Sequence, residues 1–471
     1  MRFNAASDRP EVEKKFDISY WTSVLVWSTV AIMVLIPLIC ALKYSYNLPL
    51  AEDWLMVAPL TGNEPNFLDW LWAQNNEHRI PLPRLVYLGL LTLTQDFRVG
   101  MFFNIILLGF IAATFVLTAR NLRGGKTKAV DVFFPIALLH LGHWENLLWS
   151  WQIAFVMPAS IICILIATLT VNPSPLTSTA AIVAGVSIVL LPLCSAIGLA
   201  FVPILALWLA YCAIKPLQDR SLNQISLHIP RWSSIFLLTT TGIALCLIVA
   251  YFIGYEKPYW NPPSPGIGAT FKTTAQLLAL GFGSGVAQSW KLSVFITFGL
   301  FAATAFVLVR AVLQHHGLER QRALGLGLLF INLLLITLAI GQGRAGLVPS
   351  VGLPARYALL AVPILCLSFL VWELYSSRRQ SQLIQTIFLV AVLLLLPLNI
   401  KAGFGWRDWY LQGMNAVQQD IIKGVPIDVL AERHRSFLVH WWEKERLIEN
   451  MQMLHDFGVE PFVQINDSSN N

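Results

Sequence analysis

The hydrophobic positions of this chain do not alternate and do not trace an amphipathic stripe; they come in long unbroken runs. Such runs of about 18 or more residues read as membrane-spanning helices, because only a helix pairs its whole backbone internally in hydrocarbon. The pattern predicts spans near 20–42, 100–119, 130–143, 152–171, 178–194, 196–214, 232–254, 292–312, 323–341, 357–376 and 383–402. The fold class is therefore all-α, a polytopic transmembrane helix bundle of about 11 spans. Residues 130–143 and 178–194 are short for a bilayer core. Two further apolar stretches are not counted as spans. Residues 82–95 read as a half-helix at the interface. Residues 272–289 are interrupted by Gly281, Gly283 and Gly285 and read as a re-entrant or interfacial segment.

The basic residues orient this pattern. Arg2, Arg9, Lys14 and Lys15, then Arg120, Arg123, Lys126 and Lys128, then Lys215, Arg220 and Arg231, then Arg310, Arg320 and Arg322, and last Arg378 and Arg379 all fall on alternate sides of the spans. The positive-inside rule makes that side cytoplasmic. With an odd number of spans the C-terminal tail is external. The transmembrane domain is then 1–402, with a long first external loop at 43–99, and 403–471 is an extracytoplasmic helical tail. In that tail Phe437, Trp441, Ile448 and Met451 have roughly helical spacing, which suggests an amphipathic helix packed on the membrane face or on the loops.

Composition agrees: of 471 residues 56% are hydrophobic and only 12% charged, too few polar groups to cover a soluble surface. The first apolar run begins near Trp21 and is long enough to remain as an anchor rather than a cleaved signal. The six cysteines lie in or beside apolar segments without a CxxC pair and read as buried hydrophobes. The net charge of +6 is spread over short loops and points to no nucleic-acid partner.

Polar chemistry gathers in the external loops. Glu52 and Asp53 follow the first span, and adjacent carboxylates near an apolar surface repel each other, which raises one pKa and suits a general base; Asp53 could equally cap the next helix. Gln74, Asn75, Asn76, Glu77, His78 and Arg79 form a dense polar block, suited to sugar hydroxyls and phosphate or, for Arg79 and Arg84, to lipid head groups. His143, Glu145, Asn146 and Gln152 alternate with Trp144, Trp149 and Trp151; the spacing of His140 and His143 would suit a metal but is more often structural. Arg344 and Arg356 stand outside against the charge bias, Arg356 next to Tyr357 at a helix start, where an anion is favoured; plain snorkelling is the alternative. Lys257, between Tyr255 and Tyr259, is a weaker candidate of the same kind.

Taken together, the acidic pair, NNEHRIPLPR at 75–84, WENLLWSWQ at 144–152 and GQGRAG…PARY at 341–357 resemble bacterial members of the GT-C superfamily of integral membrane glycosyltransferases. The resemblance implies a polyprenyl-phosphate-linked sugar donor drawn from the bilayer and a glycan, lipid or protein acceptor. It implies transfer with inversion on the extracytoplasmic side of a bacterial inner membrane. It places the base at Asp53, with Glu52 as substitute, and phosphate contacts at Arg344 and Arg356. Metal dependence varies in that family, and no ligand set stands out in this chain, so no cofactor is expected. A transporter or flippase would need ionisable groups within the spans. An O-antigen ligase or polymerase carries its largest external loop late, and a non-catalytic membrane scaffold is a further reading.

Overall fold

A computed structural model describes residues 18–218, 231–348 and 353–465. Arg2, Arg9, Lys14, Lys15 and Arg220 lie outside the described residues. Apart from one bridge between Asn75 and His78, all regular structure among the described residues is helical. The chain begins with α1 (Ile18–Tyr44), then folds its first loop as a tight turn over Ala51–Met56, α2 (Val57–Leu60), α3 (Phe67–Trp72) and α4 (Pro81–Thr94). The bundle continues with α5 (Val99–Leu122), α6 (Phe133–Leu139), α7 (Trp144–Leu148), α8 (Ile153–Val171), α9 (Ser178–Cys194), α10 (Ala196–Gln218) and α11 (Arg231–Phe252). It closes with α12 (Ile267–Leu280), α13 (Trp290–Gln314), α14 (Gly317–Arg344), α15 (Ala358–Tyr375) and α16 (Arg378–Ile422), followed by α17 (Ile427–Leu438) and α18 (Lys444–Phe457).

Nine described helical stretches are long and apolar enough to cross a membrane, and α9 is a shorter apolar helix. The protein is a multi-pass membrane protein. Its outer helices keep apolar side chains exposed, as Leu25, Ile32, Leu35, Ile39 and Leu42 do on α1, where lipid replaces water. The inner helix is α15: every residue from Ala358 to Trp372 is buried, so it is packed on all sides.

The expected span at 130–143 is corrected: it is no single helix. The chain does run from one end of α5 to the other, because Asp131 accepts from Arg123 at 2.7 Å at one end while the Ser150 hydroxyl accepts from the Met101 N–H at 3.2 Å at the other. It does so as α6, a break and α7. The break falls at His140, whose ψ of 149° is extended. The freed backbone groups are met by histidine: His140 Nδ1 accepts from the Gly142 N–H at 3.1 Å, and His143 Nε2 donates to the Ala137 carbonyl at 2.8 Å. The two rings stack 4.3 Å apart, so this pair serves as helix caps. The segment expected to be re-entrant is α12 followed by a sharp turn at Gly281–Gly283, running straight into α13. Asn399 of α16 joins both interruptions. It accepts from the Gly285 N–H at 2.7 Å and donates to the Phe282 carbonyl at 2.9 Å. A Cβ on Gly142 or Gly283 would collide with it, so the breaks are packed shut.

The stretch at 82–95 is indeed a helix, α4. The boundary at 402 is not a structural one: α16 continues for 45 residues, about 68 Å, until Gly424 takes a left-handed φ of 68°. The tail is two helices rather than one. They pack on the first loop, with Trp54 buried against Trp442 and Phe462 at ring distances of 6.5 and 6.0 Å. Met451 is buried there, while Trp441 is exposed.

At the opposite end of the bundle Arg123 is only 5% exposed and pairs with both Asp131 and Glu373, and Lys128 reaches Glu373 at 3.1 Å. Taking away one member leaves a buried charge uncompensated. Asp131→Ala should therefore cost about 3–5 kcal/mol, read as a large fall in the thermal unfolding midpoint of the purified protein, while Asp131→Asn costs less. An unchanged midpoint for Asp131→Ala would show that this end is not held by the pair.

Candidate functional site

The first loop turns back on the bundle through two arginines whose guanidinium groups are taken up by backbone carbonyls. Arg79 donates to the carbonyls of Tyr251 and Gly254 at 3.0 Å, Ile253 at 2.9 Å and Trp72 at 2.6 Å. Arg84 donates to the carbonyls of Leu71 at 3.3 Å and Ala73 at 2.8 Å. Gln74 grips the backbone of Glu256 with both ends of its amide, at 2.6 and 3.1 Å. These contacts hold the loop against the end of α11 and the 255–266 segment. They also correct the expectation for Arg79: its guanidinium is buried and spent on carbonyls.

Between the loop, the α6–α8 region and the start of α15 lies an open cleft of ≈ 970 Å³. Glu52, Asn75, Asn76, Glu77, His78, Arg344, Arg356 and Tyr357 all line it, together with Trp149, Trp151 and Gln152. The structure thus brings together residues spread over 300 positions of sequence. Its lining also includes residues that sequence reasoning missed, among them Phe155, Ser195 and Trp260. Trp260 lies in the aromatic loop already noted for Lys257; Ser195 sits at the α9–α10 junction and carries no signal a sequence could reveal.

The acidic pair splits. Ala51 is held at a φ of 54°, a left-handed conformation costing an L-residue about 1–2 kcal/mol, and the turn after it sends the two carboxylates apart. Asp53 is 2% exposed and absent from the cleft; it accepts from the Tyr87 hydroxyl at 3.0 Å and the Leu50 N–H at 3.3 Å. Burial pushes its carboxyl up to about 8, against the pull of those hydrogen bonds. Glu52 faces the cleft, half-buried. Burial raises its pKa, Arg356 nearby lowers it, and Glu145 raises it again.

Both cleft arginines are held by carboxylates. Arg356 pairs with Glu145 at 3.0 Å and its backbone N–H donates to the same carboxylate, while Asn146 donates to the Arg356 carbonyl at 3.1 Å. Glu145 and Asn146 therefore sit behind the cleft and fix Arg356 at the head of α15. Arg344 forms an ion pair with Glu77 and donates from Nε to the Tyr357 hydroxyl at 2.6 Å. The two guanidinium carbons lie 5.8 and 5.7 Å from the centre of the Tyr357 ring. His78 is neutral at pH 7, because burial and then Arg356 lower it to about 4. No group of three or more His, Cys, Asp or Glu that could hold a metal occurs among the described residues.

A second groove of ≈ 950 Å³ opens from the same place, sharing Glu77, His78, Phe155, Ile197, Arg344 and Tyr357. Its far wall is apolar, made by Ala196 and Ala200 of α10 and by Ile336, Ala339 and Ile340 of α14, with Lys257 at its rim. A polar, charged chamber thus opens into an apolar channel between two apolar helices, and the arginine-tyrosine pair stands at the junction. No protein-family model matches the chain, and no curated protein matches it.

The pKa of Asp53 gives a pH dependence of definite sign. A carboxyl near 3.8 when unfolded and near 8 when folded binds an extra proton in the folded state between those values. Its contribution to stability is therefore full below about pH 4 and is lost as pH rises toward 8. Asp53→Asn should fold normally and lose less stability between pH 5 and pH 8 than the native chain does, in thermal unfolding followed at both pH values. Equal losses in the two proteins would place the titration elsewhere.

Proposed function

We propose that this chain is a membrane glycosyltransferase of the GT-C kind, which moves a sugar from a polyprenyl-phosphate donor to the hydroxyl of an extracytoplasmic glycan, lipid or protein, with inversion. The observation that carries this reading is the junction of the two cavities: a charged chamber with a carboxylate and two arginines opens directly into an apolar groove between α10 and α14. A ligand that fits both parts has an anionic head and a long hydrocarbon chain. The basic residues at the far ends of the helices support an orientation with the N-terminus cytoplasmic and the cleft outside a bacterial inner membrane. Counting α9 and the broken α6–α7 passage with the nine long stretches gives eleven passes.

In this reading Glu52 replaces Asp53 as the base. It takes the proton from the acceptor hydroxyl as that oxygen attacks the anomeric carbon; the bond from that carbon to the phosphate oxygen breaks, and the electron pair leaves with the phosphate. Arg344 receives the developing charge, and Tyr357 aligns it. Arg356, locked by Glu145, keeps a positive charge beside Glu52 that opposes the effect of burial on its carboxyl. Trp149, Trp151 and Trp260 offer flat faces to a sugar ring. The transporter reading gains no support from the two interrupted helices, since Asn399 fills the space between them.

The test is transfer from a polyprenyl-phosphate sugar by purified enzyme. Glu52→Gln should lower turnover about a hundredfold or more, while Asp53→Asn keeps most of it. Arg344→Lys and Arg356→Lys should weaken donor use although charge is kept, because a lysine cannot reproduce the two-pronged hold of a guanidinium. A dead Asp53→Asn beside an active Glu52→Gln would return the base to Asp53, and full activity in both would end the assignment.

A further inference from the structure

The guanidinium at the junction of the two cavities already has a carboxylate partner. Arg344 stands where the two cavities meet, yet its guanidinium is paired with Glu77. Glu77 comes from the tip of the small Asn75–His78 bridge, whose backbone closes through hydrogen bonds of 2.7 and 2.9 Å. The preceding Asn76 holds a φ of 52°, which an asparagine tolerates. The other carboxylate oxygen, Oε2, is buried and has no hydrogen-bond partner among the described residues. One oxygen of Glu77 thus mimics an anionic ligand of Arg344, while the other is left unsatisfied, which is a costly way to use a carboxylate.

A charge count shows why this pairing must change when a phosphate arrives. Glu52, Glu77 and Glu145 bring three negative charges around Arg344 and Arg356, and Lys257 is exposed at the groove rim. Adding a phosphodiester raises the excess of negative charge where little water is present, and like charges there repel strongly. The Glu145 side chain is 9% exposed and bonded to both the side chain and the backbone of Arg356, so it stays. Among the described residues Glu52 has no direct ion pair to exchange. Glu77 has one, at the junction where the phosphate must sit, and its side chain is 18% exposed. We propose that Glu77 is a built-in competitor for the anion site: it holds Arg344 in the empty protein and is displaced when a lipid phosphate takes the guanidinium. Glu77 acts on the ligand only through Arg344. It lowers occupancy by bare lipid phosphate, so the spent carrier leaves and the next donor enters.

The inference rests on the lipid-phosphate reading of the cleft, and one experiment separates the two. Undecaprenyl phosphate, which carries no sugar to transfer, is titrated by native mass spectrometry against the full chain in phosphatidylcholine nanodiscs. Glu77→Gln, which keeps the shape and removes the charge, should bind about tenfold tighter than the native chain. Glu77→Ser should change affinity in the same direction. In an Arg344→Ala background the gain from Glu77→Gln should vanish, because the competitor has nothing left to hold. Native binding that both Glu77 variants leave unchanged or weaken overturns the inference and leaves the lipid-phosphate reading standing. Absence of binding by the native chain and both variants overturns the two together.

Discussion

Charge neutralisation in a place with little water is the constraint on which the rest of this structure depends. Arg356 cannot sit at the head of the most buried helix without a partner, and Glu145 supplies it from the broken passage 211 positions earlier in the chain. Arg344 likewise meets Glu77 of the first loop, and Arg123 meets Asp131 and Glu373 at the far end. The pairs with Glu145, Glu77 and Glu373 each weld two distant segments. The two cleft pairs bring the first loop to the end of α14 and α7 to the head of α15, while hydrogen bonds from Arg79 and Gln74 hold the loop against the end of α11 and the 255–266 segment. The ion pairs are less a source of net stability than a specification of which segments meet, since a mispaired arrangement would strand a charge.

The second constraint is backbone satisfaction. A passage through a bundle can be broken only where other groups take over the freed N–H and C=O groups. Here His140, His143 and Asn399 do that for two interruptions. The break in turn lets α7 swing Glu145 and Asn146 toward Arg356. Local irregularity thus produces the site geometry, while α15, buried from Ala358 to Trp372, anchors Arg356 and Tyr357 at its head.

Much of this architecture was legible in the pattern of apolar runs, because length and hydropathy directly report the demand of a bilayer. That 81–94 is a helix, and that glycines interrupt the segment before α13, were legible too. The break at His140 was not, because the apolar run PIALLHLGH continues straight through it and the capping partners come from the fold. Nor was the continuation of α16 to Ile422, since leaving the membrane removes the hydropathy signal without stopping a helix. At the site, adjacency misled. Asp53 and Glu52 are equivalent in sequence, and only the left-handed turn at Ala51 decides which faces the cleft. Arg79 and Arg344 look alike in the sequence, each an arginine beside an apolar run, yet one is consumed by four carbonyls while the other meets the cavity.

The central claim is that the chamber and the apolar groove form one site for a lipid-borne phosphate, and a cryo-electron microscopy map of the protein in nanodiscs with undecaprenyl phosphate tests it most directly. The account predicts phosphate density within hydrogen-bond distance of Arg344, with the hydrocarbon chain lying between Ala200 of α10 and Ile336 of α14. Density for the lipid at another face of the bundle, with the cleft holding only water, would contradict it.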